Sequence, residues 1–209
     1  MAYIGNKPAN KAIVASDLDP AVITGQTALA VAPADTDEFL ISDAGTLKRI
    51  DASLVGGGGI TVADTWRITA NHSGTGFITA NWERDDTYGN SLIGSGMSQS
   101  SGEFTFPSTG FYMIHFASRF SRGTNAPYVY GDIQVTTDNS SYNTAASGAG
   151  SISDADYYDS VFVKYIFDVT STSTHKVKFK TETNNTAVGF NGDTNANQTY
   201  AIFMRIGDT

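Results

Sequence analysis

The sequence predicts an all-β protein, an antiparallel β-sandwich or barrel, from its composition and from the spacing of its apolar runs. Only 16% of the 209 residues are charged and 21 are glycine, which disfavours helices because their solvated faces usually carry Glu and Lys. Short apolar runs recur along the chain, and turn-forming clusters separate them without any helical pattern. Many short strands at regular spacing are typical of a sandwich or a barrel.

Composition also excludes several classes of function. The formal charge is −8 and cysteine is absent. We therefore expect no nucleic acid as a partner, because phosphate contacts need clustered Lys and Arg. Disulfides and thiolate chemistry are excluded. No apolar run reaches the length of a membrane span, and the N-terminus has no signal-peptide core, so we expect synthesis in a cytoplasm without membrane insertion.

The first 55 residues form a distinct segment that we expect to attach to another protein. The segment is poor in aromatic residues, so it cannot bury much surface by itself. Residues 39–41 and 47–50 predict a β-hairpin around a turn at 43–45, and an isolated hairpin is marginal in water. The predicted attachment residues are Tyr3, Ile4, Phe39, Leu40 and Ile41.

Four consecutive glycines at 56–59 mark a change in the character of the chain. Glycine runs leave the backbone free and are typical of linkers. We therefore predict a linker at 56–59 and a C-terminal domain over residues 60–209. The strands predicted in that domain lie at 66–70, 76–82, 103–106, 111–119, 128–136, 160–168, 175–182, 187–190 and 200–206.

The predicted strand at 111–119 is apolar on both of its faces. One face carries Tyr112, Ile114 and Phe116, and the other carries Phe111, Met113, His115 and Ala117. A strand with one solvated face alternates apolar and polar residues. We therefore predict that a neighbouring subunit covers the second face, the alternative being coverage by loops of the same sandwich.

The last predicted strand, at 200–206, shows the same feature. We expect its second face to carry Ala201 and Phe203, beside the second face of the strand at 111–119. The subunit interface predicted from the two strands comprises Phe111, Met113, His115, Ala201 and Phe203.

Residues 104–112 carry a resemblance to a known superfamily. They read Phe-Thr-Phe-Pro-Ser-Thr-Gly-Phe-Tyr, which resembles the F-x-x-P-x-x-G-x-Y strand entry of the trimeric jelly-roll superfamily of complement component one-q heads and tumour necrosis factor. The resemblance implies an antiparallel jelly-roll β-sandwich that forms a homotrimer, with one sheet lining the threefold axis. Unlike animal members, this chain has no collagen-like stalk and no cysteine.

The N-terminal segment resembles fibre and spike proteins of tailed bacteriophages, especially marine ones, at residues 1–8 and 37–50. This resemblance implies a virion structural protein of the tail-fibre type. Its N-terminus would bind another virion protein, and its jelly roll would be displayed for adhesion to a host receptor or glycan. The alternatives are a capsid-bound head fibre or decoration protein, and a secreted lectin-like binding module.

Motifs for catalysis or cofactor binding are absent from the sequence. The three histidines, His72, His115 and His175, have no ligand-like spacing, and neither a nucleophile elbow nor a phosphate-binding loop occurs. We therefore expect no enzyme activity and no cofactor. A catalytic site built between subunits is the alternative that sequence alone leaves open.

An acidic run at 153–159 is the sharpest polar cluster in the chain. Asp154, Asp156 and Asp159 are candidate calcium ligands, since Ca²⁺ takes six to eight oxygen ligands, but a solvated acidic loop is the favoured interpretation. Tyr157 and Tyr158 in the same run are candidate contacts to a host receptor or glycan, because tyrosine offers rigid contact area. They could equally contact a neighbouring subunit.

Overall fold

The computed structural model describes residues 24, 25, 27, 31, 33, 34, 36–55, 59–89, 92–122, 126–154 and 157–209. Tyr3, Ile4, Asp156 and the glycines at 56–58 lie outside the described residues. The chain divides into two compact units, Met1–Gly58 and Gly59–Thr209. The roles that the sequence assigns to segments 1–55 and 56–59 stay predictions.

The first unit contains a two-stranded antiparallel hairpin, β1 (Glu38–Asp43) and β2 (Thr46–Asp51). Its turn places Ala44 at φ 48° and Gly45 at φ 80°, the left-handed pair that suits the twist of a tight hairpin. A 3-10 turn, Ala52–Leu54, follows β2. The hairpin therefore spans the two short strands that the sequence predicts, lengthened at both ends.

The second unit is a sandwich of two antiparallel sheets, and the predicted all-β sandwich is confirmed. The described residues contain no helix long and apolar enough to cross a membrane. The strands are β3 (Ala63–Ile68), β4 (His72–Ser73), β5 (Gly76–Phe77), β6 (Trp82–Arg84), β7 (Ser98–Ser100), β8 (Glu103–Thr105), β9 (Gly110–Arg122), β10 (Ala126–Thr136), β11 (Asn143–Ile152), β12 (Tyr157–Val169), β13 (Lys176–Thr183), β14 (Gly189–Phe190) and β15 (Tyr200–Gly207).

The sheets are named here after their central strands. The β9 sheet has the order β4-β14-β9-β15-β3-β6, with β12 paired along the whole of β9. Because β12 occupies one edge of β9, β15 and β14 share the other edge in succession. The β10 sheet has the order β11-β10-β13-β8-β7, with β5 also paired to β13. As a result, the β9 sheet ends at β12 on one side, and at β6 beyond β3 and β4 beyond β14 on the other.

An aromatic core lies between the two sheets. Phe104 and Phe179 come from the β10 sheet, Phe116 and Phe203 come from the β9 sheet, and all four are fully buried. The ring centroids of Phe116 and Phe179 are 4.7 Å apart, and those of Phe104 and Phe203 are 5.1 Å apart. Buried aromatic side chains dominate the energetics of cores, so these rings hold the two sheets together.

A buried carboxylate holds the β6 end of the β9 sheet. Asp64 is fully buried and accepts hydrogen bonds from Trp66 Nε1 at 2.9 Å, from Arg84 Nε at 2.9 Å and from the backbone N of Met97 at 2.7 Å. A buried charge is tolerated when it is paired and hydrogen-bonded. Asp64 thereby joins β3 to β6 and to the segment that leads into β7.

Sequence and structure differ in the strand at 76–82 and in three strands that the sequence does not predict, β4, β7 and β11. The predicted strand at 76–82 is interrupted, because Asn81 adopts a left-handed φ of 64° between β5 and β6. Strand β11 was not predicted, because its run of Gly, Ala, Ser and Thr has weak strand propensity. The remaining predicted strands of the C-terminal domain all overlap observed ones.

Glycines let β11 lie close to β12 where the two sheets meet at their edges. A Cβ at Gly148 would lie 2.6 Å from Cγ1 of Val161 and 2.7 Å from Cγ1 of Val163, closer than real Cβ atoms approach. A Cβ at Gly150 would lie 2.9 Å from Phe120. The small residues give β11 a weak strand propensity, and its close packing against β12 requires them.

Replacing Gly148 with alanine tests this close approach. We expect Gly148→Ala to lower the free energy of unfolding by about 1–3 kcal/mol, because the added methyl overpacks the contact with Val161 and Val163. Gly189→Ala is the matched control, since the nearest atoms to a Cβ there are 4.0 Å away. Urea unfolding of both variants measures the difference, and equal stabilities would contradict the packing argument.

Candidate functional site

The outer face of the β9 sheet carries a continuous set of largely apolar side chains. Residues paired across antiparallel strands lie on the same face of the sheet, so the register fixes which side chains are neighbours. Three rows cross β12, β9 and β15 in that order, and they are Phe162–Ala117–Tyr200, Lys164–His115–Ile202 and Ile166–Met113–Met204.

Solvent reaches much of this face. Phe162 is 62% exposed and Ile166 is 58% exposed on the end strand β12, while Ile206 is 50% exposed and Phe111 is 37% exposed at one end of the rows. Contiguous exposed apolar side chains on one surface mark an interaction site. Among the described residues, this face is therefore exposed along β12 and near Phe111 and Ile206, whereas Ala117 is buried. Coverage by a neighbouring subunit and coverage by loops of the same sandwich both stay predictions.

His115 lies in the middle row of this face. Its ring stacks on Phe162 at a centroid distance of 6.2 Å and an angle of 21°, and it is 5.8 Å from the ring of Tyr200. Among the described residues its buried Nδ1 has no hydrogen-bond partner. Burial lowers the pKa of His115, and the nearby cation of Lys164 lowers that pKa further, so the neutral ring belongs to the apolar surface.

A buried arginine surrounded by carboxylates lies beside this apolar region, toward β6. The side chain of Arg67 is 1% exposed and forms ion pairs with Asp85, with Glu83 at 3.1 Å and with Asp86 at 3.2 Å. Thr87 Oγ1 accepts a further hydrogen bond from Arg67 at 2.8 Å. We call Arg67 with Glu83, Asp85 and Asp86 the acidic cluster, because three carboxylates surround one guanidinium.

Two of the residues predicted for the interface lie elsewhere. Ala201 and Phe203 are fully buried in the core, because they pair with the core residues Phe116 and Ile114 of β9. The prediction that they lie on the second face is wrong, because their neighbours in β15 are the residues that face outward. Phe111, Met113 and His115 do lie on the outer face, and their role in an interface stays a prediction.

Sequence reasoning missed most of the residues that lie with His115 on the outer face. Strand β15 is apolar at successive positions, so its alternation alone does not say which set faces the core. The sequence of β12 does indicate that Phe162 and Ile166 face away from the core, because they alternate with the buried Val161 and Val163. The missed residues are Phe162, Ile166, Tyr200, Ile202, Met204 and Ile206.

The two candidate host-contact tyrosines lie at the start of β12. Tyr157 is 56% exposed and Tyr158 is 59% exposed. The guanidinium of Arg119 lies over the ring of Tyr158, 4.3 Å from its centroid, an arrangement that fixes the ring while leaving it accessible. Their contact to a receptor or glycan stays a prediction.

The acidic run before β12 is only partly described. Asp159 accepts a hydrogen bond from the backbone N of Ser160 at 2.7 Å and a longer one from Ser151 at 3.4 Å. Within the described ranges, no group of three or more His, Asp or Glu side chains is placed to hold a metal ion. Because Asp156 lies outside those ranges, a calcium site at Asp154, Asp156 and Asp159 stays a prediction.

The described attachment residues of the N-terminal segment are accessible on the hairpin. Phe39 is 42% exposed, Leu40 is 71% exposed and Ile41 is 37% exposed. Cross-strand ion pairs, Arg49 with Glu38 at 2.9 Å and Lys48 with Asp43, join the two strands. The hairpin thus presents apolar side chains that a partner could cover, and its docking stays a prediction.

Histidine titration should make the stability of the fold depend on pH. Burial lowers the pKa values of His72 and His115 below 6.5, so between those lowered values and 6.5 the unfolded chain binds more protons than the folded chain. The free energy of unfolding therefore falls as the pH falls through this window. Denaturant unfolding from about pH 7.5 to about pH 5, at one protein concentration, measures the slope.

The matched variants for this pH dependence are His115→Gln and His72→Gln. Each should make the decrease in unfolding free energy shallower, and together they should remove most of it above the range in which carboxylates titrate. A double variant with an unchanged slope would contradict the assignment.

Solved structures show that the sandwich has a known fold. The chain is similar to murine APRIL at pH 5.0, with 13% identity and a TM-score of 0.51 over 69% of this chain and 98% of that chain. It is also similar to Eiger TNF from S. frugiperda, with 10% identity and a TM-score of 0.55 over 72% of this chain and 96% of that chain. No protein-family model matches the chain, and no curated protein matches it. The second unit therefore has the jelly-roll fold of tumour necrosis factor proteins.

Proposed function

We propose that this chain is a non-enzymatic structural protein of a bacteriophage virion that forms a homotrimer through the outer face of the β9 sheet. The observation that carries self-association is the exposed set Phe111, Phe162, Ile166 and Ile206 around His115. Covering apolar surface gives about 25 cal/mol per Å² of area removed from water. A second copy is the proposed cover, because a jelly roll with an apolar sheet face suits closed cyclic assembly.

The virion role is supported by the resemblance at residues 1–8 and 37–50 to phage fibre and spike proteins. In this proposal the hairpin docks through Phe39, Leu40 and Ile41, which are exposed, together with Tyr3 and Ile4. The trimeric jelly roll is then displayed outward. Three copies held together multiply weak contacts to a host surface by avidity, so adhesion through Tyr157 and Tyr158 requires neither catalysis nor a cofactor.

A capsid-bound head fibre or decoration protein is the second candidate. It would use the same trimeric jelly roll and the same exposed hairpin, so the two candidates differ in the protein to which the hairpin binds. A tail protein would receive the hairpin of a tail fibre, and the major capsid protein would receive that of a head fibre. A secreted lectin-like module would need neither partner.

Self-association through this face predicts the mass of the protein in solution. Light scattering should give about 67 kDa, three times the 22.2 kDa of one chain. Phe162→Asp should shift the mass toward that of one chain, because it places a charge in the covered apolar surface.

The matched control is Phe77→Asp, since Phe77 is also exposed, at 38%, but belongs to the β10 sheet. This variant should keep the wild-type mass. A wild-type monomer at micromolar concentration, or a dissociating Phe77→Asp variant, would contradict self-association through the β9 sheet.

Virion attachment predicts where antibodies against the purified protein bind. Gold-labelled antibodies should mark intact particles produced by cells that make this protein, and the label should disappear when Phe39→Asp and Ile41→Asp are introduced together. Label on the tail supports a tail fibre, and label on the head supports the capsid-bound alternative. Absence of label from particles, with the protein found free in the medium, would refute a virion role.

A further inference from the structure

We propose that Lys164 and Arg119 of one copy pair with the acidic cluster of a second copy when the outer faces of the β9 sheet associate. This inference rests on the proposed self-association and adds to it the contact that sets the orientation of the copies. The structural basis is the distribution of charge across one sheet face, with Lys164 on β12, Arg119 beside it on β9 and an excess of carboxylates toward β6.

The β12 end of the face carries the cations. Lys164 is exposed on β12 between Phe162 and Ile166, and Arg119 lies over the ring of Tyr158. Across the described ranges of the chain, neither cation forms an ion pair with a carboxylate. An apolar interface that covered Lys164 without supplying a carboxylate would leave a desolvated charge unpaired, which is costly.

The β6 end of the face carries the excess of carboxylates. Arg67 neutralises one of the three acidic groups that it contacts, so the acidic cluster keeps a net charge of about −2. The side chain of Asp86 is 75% exposed and that of Glu83 is 40% exposed. Both carboxylates can therefore accept a cation from outside the protomer while remaining in contact with Arg67.

Within one protomer the two ends cannot neutralise each other. Four strand spacings separate Lys164 on β12 from β6, about 19 Å at 4.8 Å per spacing, and three separate Arg119 on β9 from β6, about 14 Å. Both distances exceed the Debye length of about 8 Å at physiological salt. A second copy laid across the face brings its own Lys164 and Arg119 to the acidic cluster of the first. Such complementarity fixes register and orientation, while the apolar rows supply most of the affinity.

Asp168 is the competing acidic partner on the same face. It lies on β12 beside Phe111 of β9, four residues from Lys164, about 13 Å along the strand. Pairing of Lys164 with Asp168 of a second copy would place two β12 strands side by side. The two arrangements therefore predict different rescuing substitutions for a charge reversal at Lys164.

Charge reversal with rescue tests the proposal on the full chain. We expect Lys164→Glu and Asp86→Lys each to weaken self-association at least about tenfold, because each brings like charges together. The double variant Lys164→Glu/Asp86→Lys should recover association to within about threefold of wild type. Sedimentation velocity over a concentration series measures the association, and circular dichroism checks that each variant folds.

Two further variants serve as controls. Asp86→Asn removes the negative charge but keeps an oxygen that can accept the hydrogen bond from Arg67, so it should weaken association less than Asp86→Lys. Lys180→Glu reverses a charge on the β10 sheet and should leave association unchanged.

The outcomes separate this inference from the proposed function. A wild-type chain that stays monomeric overturns both. A wild-type assembly that is indifferent to Lys164→Glu and Asp86→Lys overturns the pairing alone. Rescue of Lys164→Glu by Asp168→Lys, and not by Asp86→Lys, overturns it in favour of the β12-to-β12 arrangement.

Discussion

The central constraint in this protein is that β9 is hydrogen-bonded along both edges and apolar on both faces. Strand β12 pairs with it from Gly110 to Arg122, and β15 and β14 share its other edge. Because paired residues share a face, the alternation of β9 decides which side of β12 and β15 is buried. A shift of one residue in either partner would move that strand's core residues to the outside.

One face of β9 packs against the second sheet of the sandwich, and the other does not. The core face packs against the β10 sheet through rings such as those of Phe116 and Phe179, and the glycines of β11 let the two sheets close at the β12 edge. Among the described residues, no second sheet lies on the outer face, since β10 and its neighbours pack on the core face. Several apolar side chains of that face are exposed there, and they are the surface on which the proposed association rests.

The sequence predicts the fold better than it predicts the residues of the candidate site. The alternation of β9 is readable because Tyr112, Ile114 and Phe116 are all large, and the jelly-roll motif begins just before them. The sequence does not show which alternate residues of β15 face the core, because Ala201 and Phe203 differ from their neighbours in burial but not in polarity. Strand β11 was missed because its glycines serve packing rather than strand propensity. Clusters such as Arg67 with three carboxylates arise from register and loops, which one sequence does not specify.

This arrangement explains the low charge of the chain. Strands that are apolar on both faces have few positions for Lys or Glu, and in the three rows of the outer face Lys164 is the one charged side chain. Interfaces of this kind draw affinity from an apolar centre and specificity from a charged rim. An uncharged face could slide or rotate against its copy with little penalty. In the proposed assembly, a face with Lys164 at one end and carboxylates at the other favours a single orientation of the copies.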